Sequence, residues 1–246
     1  MESDRIFQFQ DEKGTLVVNI PEKTEAAYGM YTWPCAAVLA QYIWNKRKHL
    51  LINKHVLELG AGTALPSVVA AKAGNVASLT LTDDTHQPRS IENCRMSCAA
   101  NSIDVCELQI NHVDRKPCIK VEGLRWGEVN PTFFYGQLKG LLPYPDVILG
   151  SDCFFDENVY EKILFTVSHL LEGKMSKIGP HEDKPYFLCT YQVRNANSSI
   201  GDLLHLWNLN CAEIDLHSFG GDGHDIASSG MPGNHEIRML KISLKD

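Results

Sequence analysis

The residues best suited to chemistry lie in a turn that follows the apolar segment His55–Leu59. The turn contains Gly60 and Gly62, and Glu58 lies two residues before the first glycine. Because glycine has no Cβ, the backbone at these positions can bend sharply and approach a ligand closely. In open α/β sheets, ligands bind at the carboxyl ends of the strands, where a strand turns into its helix. The sequence therefore predicts a ligand site at this turn.

The same turn is poorly suited to a pyrophosphate. A dinucleotide site has the pattern G-x-G-x-x-G, and Leu65 stands at the third glycine position. Glu58 also adds a negative charge where a phosphate would lie. The sequence favours a ligand with a cationic or neutral group and disfavours a nicotinamide-dependent oxidoreductase.

Two residues downstream could bind the remainder of a nucleoside. Asp83 follows Gly62 by 21 residues and ends the second strand, where a carboxylate can accept hydrogen bonds from a ribose diol. Trp126 comes just after the third strand and could cover an adenine ring. The alternatives are a turn or cap residue for Asp83 and core burial for Trp126.

Alternating strands and helices would position these residues. An apolar face at helical spacing predicts a helix that begins near Pro34. The following strands and helices predict a Rossmann-like α/β fold, with a seven-stranded sheet, helices on both faces and an antiparallel last strand. The predicted strands are His55–Leu59, Ser78–Thr82, Cys118–Leu124, Pro145–Gly150, Tyr186–Tyr191, Ala212–Leu216 and Glu236–Leu244, and the helices between them are Pro66–Ala73, Pro88–Ala100, Val159–Leu171 and Ile200–Trp207.

The chain divides into two parts of unequal size. Residues 6–20 alternate in polarity around Gly14, which predicts a β-hairpin. We expect an N-terminal hairpin extension over residues 1–27 and one α/β domain over residues 28–246. The stretches 109–117 and 173–184 have the composition of loop insertions, and a glycine-rich loop, 218–234, joins the last two strands.

Composition excludes several classes of function. A net charge of −7 argues against direct nucleic-acid binding and suits a basic peptide partner. The longest apolar stretch, residues 34–44, is too short to span a bilayer, so no membrane partner is expected. Eight cysteines without a CxxC pair predict reduced thiols and a cytoplasmic and nuclear location. The ten histidines lack metal-ligand spacing, so no metal site is predicted.

Several motifs together resemble the family 16 methyltransferases of the seven-β-strand class. They occur in order and at compatible spacings from about residue 28 to the end of the chain, which makes the resemblance specific. The segments are Trp33-Pro34, Val56–Gly62, Leu81–Asp83, Arg125–Gly127, Asp146–Asp152, Cys153–Phe155 and Thr190–Arg194.

The resemblance implies that the ligand is S-adenosyl-L-methionine. It also implies that the cofactor pocket is lined by Trp33, Gly60, Ala61, Gly62, Asp83, Trp126 and Ser151, beside Glu58 from the turn itself. The family transfers a methyl group to a protein side chain, usually lysine. The branch that this chain resembles is associated with arginine in histone tails, so histone tails or chaperones are the expected partners. Two departures are Ala64, where glycine is usual, and Phe155, where tyrosine is common.

The acceptor side is expected at the end of the fourth strand. Asp152 is the carboxylate best placed to orient a cationic acceptor or to take its proton, and Phe154, Phe155 and Tyr191 could frame the cation through their rings. The alternatives are a helix cap for Asp152 and core packing for the phenylalanines. No paired-glutamate loop typical of the larger arginine methyltransferases is present, so the arginine assignment follows from the resemblance alone.

Four functions therefore stay open. The expected one is a protein N-methyltransferase that acts on histone arginine, with lysine as the alternative acceptor. A small-molecule methyltransferase of the same fold is disfavoured because no substrate-lid domain is evident. The last is a module that binds the cofactor and acts through a protein partner.

Overall fold

The computed structural model describes residues 2–23, 29–106, 117–129, 142–179, 182–194, 200–231 and 236–245. These residues form a seven-stranded sheet with helices on both faces and a separate two-stranded hairpin. In chain order the elements are β1 (Glu2–Asp11), β2 (Gly14–Lys23), α1 (Pro34–Leu50), β3 (His55–Leu59), α2 (Leu65–Ala73), β4 (Ser78–Asp83), α3 (Pro88–Ala100), β5 (Cys118–Gly123), β6 (Val147–Ser151), α4 (Glu157–Met175), β7 (Tyr186–Gln192), α5 (Gly201–Leu206), β8 (Leu209–Ile214) and β9 (Ile237–Leu244).

The strand order is β5-β4-β3-β6-β7-β9-β8. Strands β3 to β7 pair in parallel, and β9 lies antiparallel between β7 and β8. The predicted sheet with its antiparallel last strand is therefore confirmed. The order reverses beside β3, whose two neighbours β4 and β6 lead to opposite edges. Ligands of open α/β sheets bind at such a point.

Alternate residues of the strands feed two hydrophobic clusters, one on each face of the sheet. In β3, Val56 belongs to the cluster with α1, α2 and α3, and Leu57 and Leu59 belong to the cluster with α4 and α5. Successive side chains of a strand point to opposite faces, so both faces of this central strand are buried. Glu58 lies on the same face as Val56 and has no exposed surface.

The N-terminal hairpin packs onto the first of these clusters. Phe7, Phe9, Val18 and Ile20 are buried in it, and the intervening side chains face outward. The paired residues extend from Glu2 to Lys23, so the predicted hairpin is confirmed and is longer than residues 6–20. The division into an extension and a domain after residue 27 stays a prediction.

Two local predictions differ from the structure. Residues 173–175 are the last turn of α4 and not the start of an insertion, because the helix continues to Met175. Strand β8 begins at Leu209 rather than Ala212, and most of its side chains are exposed at the sheet edge, which removes the apolar alternation. Residues 109–116, 180–181 and 232–234 of the predicted loops lie outside the described residues.

Candidate active site

The turn after β3 adopts a backbone conformation that only small residues accommodate. Gly60 and Gly62 have φ angles of +63° and +53°. A Cβ on Gly60 would lie 2.7 Å from Cζ2 of Trp126, and one on Gly62 would lie 3.2 Å from Cα of Gly29. Because the two glycines have no side chains, Trp126 can pack against the turn at Gly60 and the backbone of Gly29 can pack against it at Gly62.

Ala64 completes the turn and caps the N-terminus of α2. It is buried and also left-handed, with a φ of +61° and a ψ of 22°. Residue 64, where the family usually has glycine, therefore has a backbone conformation that glycine adopts without strain. The alanine lowers the stability of the fold by about 1 kcal/mol there. The small side chain of Ala64 is accommodated in the core.

Asp83 connects the end of β4 to the glycine turn. Its Oδ2 accepts a hydrogen bond of 2.8 Å from the Gly62 amide, and its Oδ1 accepts one of 2.8 Å from the Asp84 amide. Burial is the main cause that raises the pKa of Asp83. A carboxylate has about four lone-pair sites, so these two bonds leave capacity for further donors such as a ribose diol.

Glu58 lies beneath the turn and not on its surface. Its side chain is 0% exposed, and Oε2 accepts a hydrogen bond of 3.1 Å from the Ser67 amide in α2. Oε1 has no hydrogen-bond partner among the described residues. Burial raises the pKa of Glu58 from 4.5 to about 8, so its carboxyl group is mostly uncharged at neutral pH. The residue braces the start of α2 from below.

The segment before α1 crosses over the glycine turn, which the sequence did not reveal. The hydroxyl groups of Thr32 and Thr63 are 2.9 Å apart and buried. The Thr32 amide donates to Oε1 of Glu22 in β2 at 3.0 Å, and the carbonyl oxygen of Gly29 accepts from Asn93 at 2.9 Å. These contacts join the turn to the hairpin and to α3.

The remaining predicted cofactor residues surround the turn. The indole of Trp126 lies against Gly60 and is partly buried. The Ala61 amide donates to the Thr82 carbonyl oxygen at 2.9 Å, which ties the turn to β4. Ser151 is the last residue of β6 and is paired with β7. Trp33 is the N-cap of α1, is partly exposed, and contacts Tyr31 edge to face with ring centroids 5.9 Å apart.

Asp152 follows β6 directly and is held by β7 and the segment after it. It has a φ of +56°, and its amide donates to the Thr190 carbonyl oxygen at 2.7 Å. The guanidinium of Arg194 donates from both Nη atoms to the carboxylate, at 2.8 Å to Oδ1 and 2.5 Å to Oδ2. The residue is 8% exposed. The arginine was part of a recognised motif, but nothing in the sequence placed it on this carboxylate.

The three aromatic residues predicted on the acceptor side lie in different environments. Phe154 is buried and contacts Tyr160 and Tyr191 edge to face, with ring centroids 5.3 and 5.9 Å apart. Phe155 is 37% exposed, and Tyr191 is partly buried at the end of β7. The structure therefore brings Phe154 and Tyr191 together and leaves Phe155 at the surface.

A cavity of about 270 Å³ lies against the N-terminal end of α1. Its floor is the first turn of α1, and its walls come from the segment between β8 and β9. Cys35 in this first turn places its Sγ 3.7 Å from Oδ1 of Asp152. Among the lining residues are Pro34, Ala37, Val38, Met231, Asp222 and Glu236. The cavity thus combines an apolar floor with carboxylates.

No set of three or more potential metal ligands is grouped within the part of the chain that the structure describes. None of the helices among the described residues is both long and apolar enough to cross a bilayer.

The model of a protein family described as lysine methyltransferases matches residues 12–199. The chain belongs to this family. It is a methyltransferase that uses S-adenosyl-L-methionine, as the family and the fold together establish.

Relatives of this methyltransferase match it over nearly its whole length. It is 40% identical to a Xenopus laevis protein named histone-arginine methyltransferase METTL23, over 98% of this chain and 92% of that one. It is 39% identical to the Homo sapiens protein of the same name, over 87% of this chain and 97% of that one. The resemblance to family 16 is therefore confirmed.

Solved structures share the fold of this methyltransferase at low sequence identity. A methyltransferase from Agrobacterium tumefaciens aligns with a TM-score of 0.54 at 13% identity, over 98% of this chain and 71% of that one. A putative methyltransferase complexed with SAH aligns with a TM-score of 0.53 at 14% identity, and this chain spans 57% of its length. These structures support the fold assignment.

The residues present in the turn fit S-adenosyl-L-methionine. Gly60 and Gly62 let other groups come close to the backbone of the turn, where a Cβ would clash. Asp83 retains lone pairs for hydroxyl donors, and Trp126 offers a flat ring beside the turn. When bound, the cofactor supplies a methyl group on a sulfonium centre. The chain itself has to hold the donor and present the acceptor, because an in-line displacement needs no covalent intermediate with the enzyme.

Proposed function

We propose that this methyltransferase transfers a methyl group to arginine side chains of histone tails. The observation that carries the proposal is the similarity to enzymes named histone-arginine methyltransferases, at about 40% identity over nearly the full length of both chains. Because the similarity includes the hairpin and both ends of the sheet, it covers the cofactor side and the acceptor side together.

The cofactor is bound at the turn after β3. Gly60, Ala61 and Gly62 approach it with their backbone, and Asp83 accepts hydrogen bonds from its ribose. Trp126 covers the adenine, and Trp33 and Ser151 close the pocket at the ends of α1 and β6. Glu58 acts from beneath by holding the Ser67 amide, since it has no exposed surface.

The acceptor is bound beyond the end of β6. Asp152 orients the acceptor cation and takes the proton that its nitrogen loses as the methyl group is transferred. Tyr191 and Phe155 flank the acceptor, and Phe154 contacts the ring of Tyr191 from the core. A ring face attracts a desolvated cation by about 2 kcal/mol or less. Proximity is the larger effect, because holding donor and acceptor in line can supply about 7–11 kcal/mol.

A basic protein segment suits the surroundings of this site. The chain has a net charge of −7, and Asp222 and Glu236 are among the residues that line the cavity at the start of α1. Histone tails, free or bound to chaperones, contain such basic segments. The same charge disfavours a direct contact with nucleic acid.

Lysine is the alternative acceptor, because the matching family is described by lysine methylation. A binding module that acts through a protein partner is the second alternative, and the intact glycines and carboxylates of the turn disfavour it.

The deciding experiment combines the full chain, S-adenosyl-L-methionine with a labelled methyl group and core histones, followed by mass spectrometry of the labelled residues. We expect label on arginine. Label on lysine alone would replace the proposed acceptor, and absence of any transfer from a protein that binds the cofactor would favour the partner-dependent module.

The cofactor site is tested separately by calorimetry with S-adenosylhomocysteine. Asp83→Asn should weaken binding by at least about tenfold, because a charge-assisted hydrogen bond contributes about 1.5–3 kcal/mol. The matched control is Asp84→Asn on the neighbouring residue, which should change the Kd by less than about twofold. Equal effects of the two variants would remove Asp83 from the site.

The location of the protein is proposed to be the cytoplasm and the nucleus. All eight cysteines are free thiols, of which five are buried and two are partly buried, as in proteins of reducing compartments. Imaging of the tagged full chain tests this, and retention in a secretory compartment would contradict it.

A further inference from the structure

The carboxylate of Asp152 already holds a guanidinium group. Arg194 donates to it from both Nη atoms, at 2.8 and 2.5 Å, which is the paired geometry that arginine forms with a carboxylate. The arrangement matters because Asp152 is the residue that the sequence and the proposed function place on the acceptor side. An arginine of the chain itself therefore lies where a cationic acceptor would be expected.

The other contacts of this carboxylate come from groups that carry no charge. The Gln192 amide donates to Oδ1 at 3.3 Å, and the Cys35 thiol lies 3.7 Å from the same atom. Burial and the nearby carboxylate of Asp152 raise the pKa of Cys35, so the thiol stays protonated. Arg194 is thus the one side-chain cation that contacts Asp152 among the described residues.

The side chain of Arg194 can leave without disrupting the sheet. It is 36% exposed, and β7 ends two residues earlier at Gln192. The last sheet-like hydrogen bond of this segment runs from the Val193 amide to the Glu236 carbonyl oxygen at 2.8 Å. Apart from Asp152, the described partner of the guanidinium is the Gln192 carbonyl oxygen at 3.5 Å.

We propose that Asp152 is a guanidinium subsite that Arg194 occupies until the acceptor arginine displaces it. The inference rests on the proposed function and explains why the site would select arginine over lysine. A second guanidinium can replace both hydrogen bonds of Arg194, because it carries the same planar fork of donors. A lysine ammonium offers a point charge and cannot restore the paired geometry, so exchange selects arginine over lysine.

The first test measures methyl transfer to an arginine-containing histone-tail peptide. In Arg194→Met the competitor is absent and the aliphatic length is kept, so the KM for the peptide should fall at least about fivefold while turnover at saturation is retained. Asp152→Asn should raise the KM at least about tenfold in both the wild-type and the Arg194→Met background. An unchanged KM in Asp152→Asn would overturn the subsite.

Inhibition by methylguanidinium distinguishes competition by Arg194 from a role of Arg194 in positioning Asp152. If Arg194 is a competitor, the small cation should inhibit Arg194→Met competitively with the peptide and should affect the wild type much less. If Arg194 instead positions Asp152, its removal lowers kcat at unchanged KM, and methylguanidinium restores kcat. That second result would overturn the proposal.

Removal of Arg194 leaves a mostly buried carboxylate without its cation, which can prevent folding. Arg194→Lys keeps the charge and loses the fork, so it should fold and show a peptide KM between those of the wild type and Arg194→Met. A KM above the wild-type value in Arg194→Lys would contradict competition. The melting temperature with S-adenosylhomocysteine confirms that each variant is folded.

Calorimetry keeps this inference distinct from the proposed function. Binding of methylguanidinium to an Arg194 variant, abolished by Asp152→Asn, supports the subsite even when the wild type methylates no arginine. Methylation of arginine by the wild type without any such binding would leave the proposed function standing and overturn the subsite.

Discussion

Glu58 connects the cofactor turn to the pH dependence of stability. Its carboxyl group is fully buried, accepts one hydrogen bond from the Ser67 amide, and has one oxygen without a partner. Burial raises its pKa from 4.5 to about 8. The folded protein therefore keeps a proton on Glu58 that the unfolded chain has already lost in neutral solution.

The sign and size of the effect follow from proton linkage. A carboxyl group whose folded pKa is raised destabilises the fold as the pH rises from the unfolded to the folded value. The full difference between 4.5 and about 8 corresponds to roughly 5 kcal/mol, of which about 3 kcal/mol falls between about pH 6 and pH 9. Glu58→Gln removes the ionisable group and should not show this loss.

The assay is urea unfolding of the wild type and Glu58→Gln across this range of pH, with Glu12→Gln in the exposed hairpin turn as the control. We expect the free energy of unfolding of the wild type to fall by about 3 kcal/mol relative to Glu58→Gln, and Glu12→Gln to follow the wild type. Parallel curves for the wild type and Glu58→Gln would refute the reasoning, because they would show that Glu58 ionises in the folded protein without cost.

Two further predictions concern the turn itself. Gly60→Ala should abolish S-adenosylhomocysteine binding and lower the free energy of unfolding by about 2–4 kcal/mol, because the new Cβ would clash with Trp126 at a left-handed φ. Gly230→Ala is the control, because Gly230 has the same φ of +63° with open space around it. Calorimetry should show unchanged binding for this control, and urea unfolding only the backbone cost of about 1–2 kcal/mol. Thr32→Val should cost about 1–3 kcal/mol in urea unfolding by leaving the Thr63 hydroxyl buried without its partner, and adding Thr63→Val should recover part of that loss. Additive costs of the two threonine changes would contradict a direct bond.

The sequence predicted the parts of the site that follow from local patterns. Gly60, Gly62 and Asp83 were placed correctly relative to one another because a parallel strand order brings the carboxyl ends of adjacent strands together. The spacing of 21 residues between Gly62 and Asp83 corresponds to a direct hydrogen bond of 2.8 Å from the Gly62 amide to the Asp83 carboxylate. Composition and periodicity suffice for such contacts between neighbouring strands.

Contacts between distant segments were not predictable in the same way. The pairing of Asp152 with Arg194 joins the ends of two strands through long side chains, whose rotamers depend on the surrounding packing. The burial of Glu58 depends on α2 and α3 covering one face of β3, although its position in the motif suggested a residue that faces the ligand. Local periodicity carries no information on either arrangement.

The bonds that run from Glu22 to Thr32 and from Thr32 to Thr63 make the hairpin and the methyl-donor site thermodynamically linked. If an ordered hairpin raises the affinity for the cofactor, the bound cofactor must stabilise the hairpin against local opening by the same free energy. Arg5 of β1 holds the Glu22 carboxylate within the hairpin, because its Nε donates to Oε2 of Glu22 at 3.0 Å. Cofactor supply would thereby govern the amide hydrogen exchange, and the susceptibility to proteases, of a segment that does not belong to the sheet.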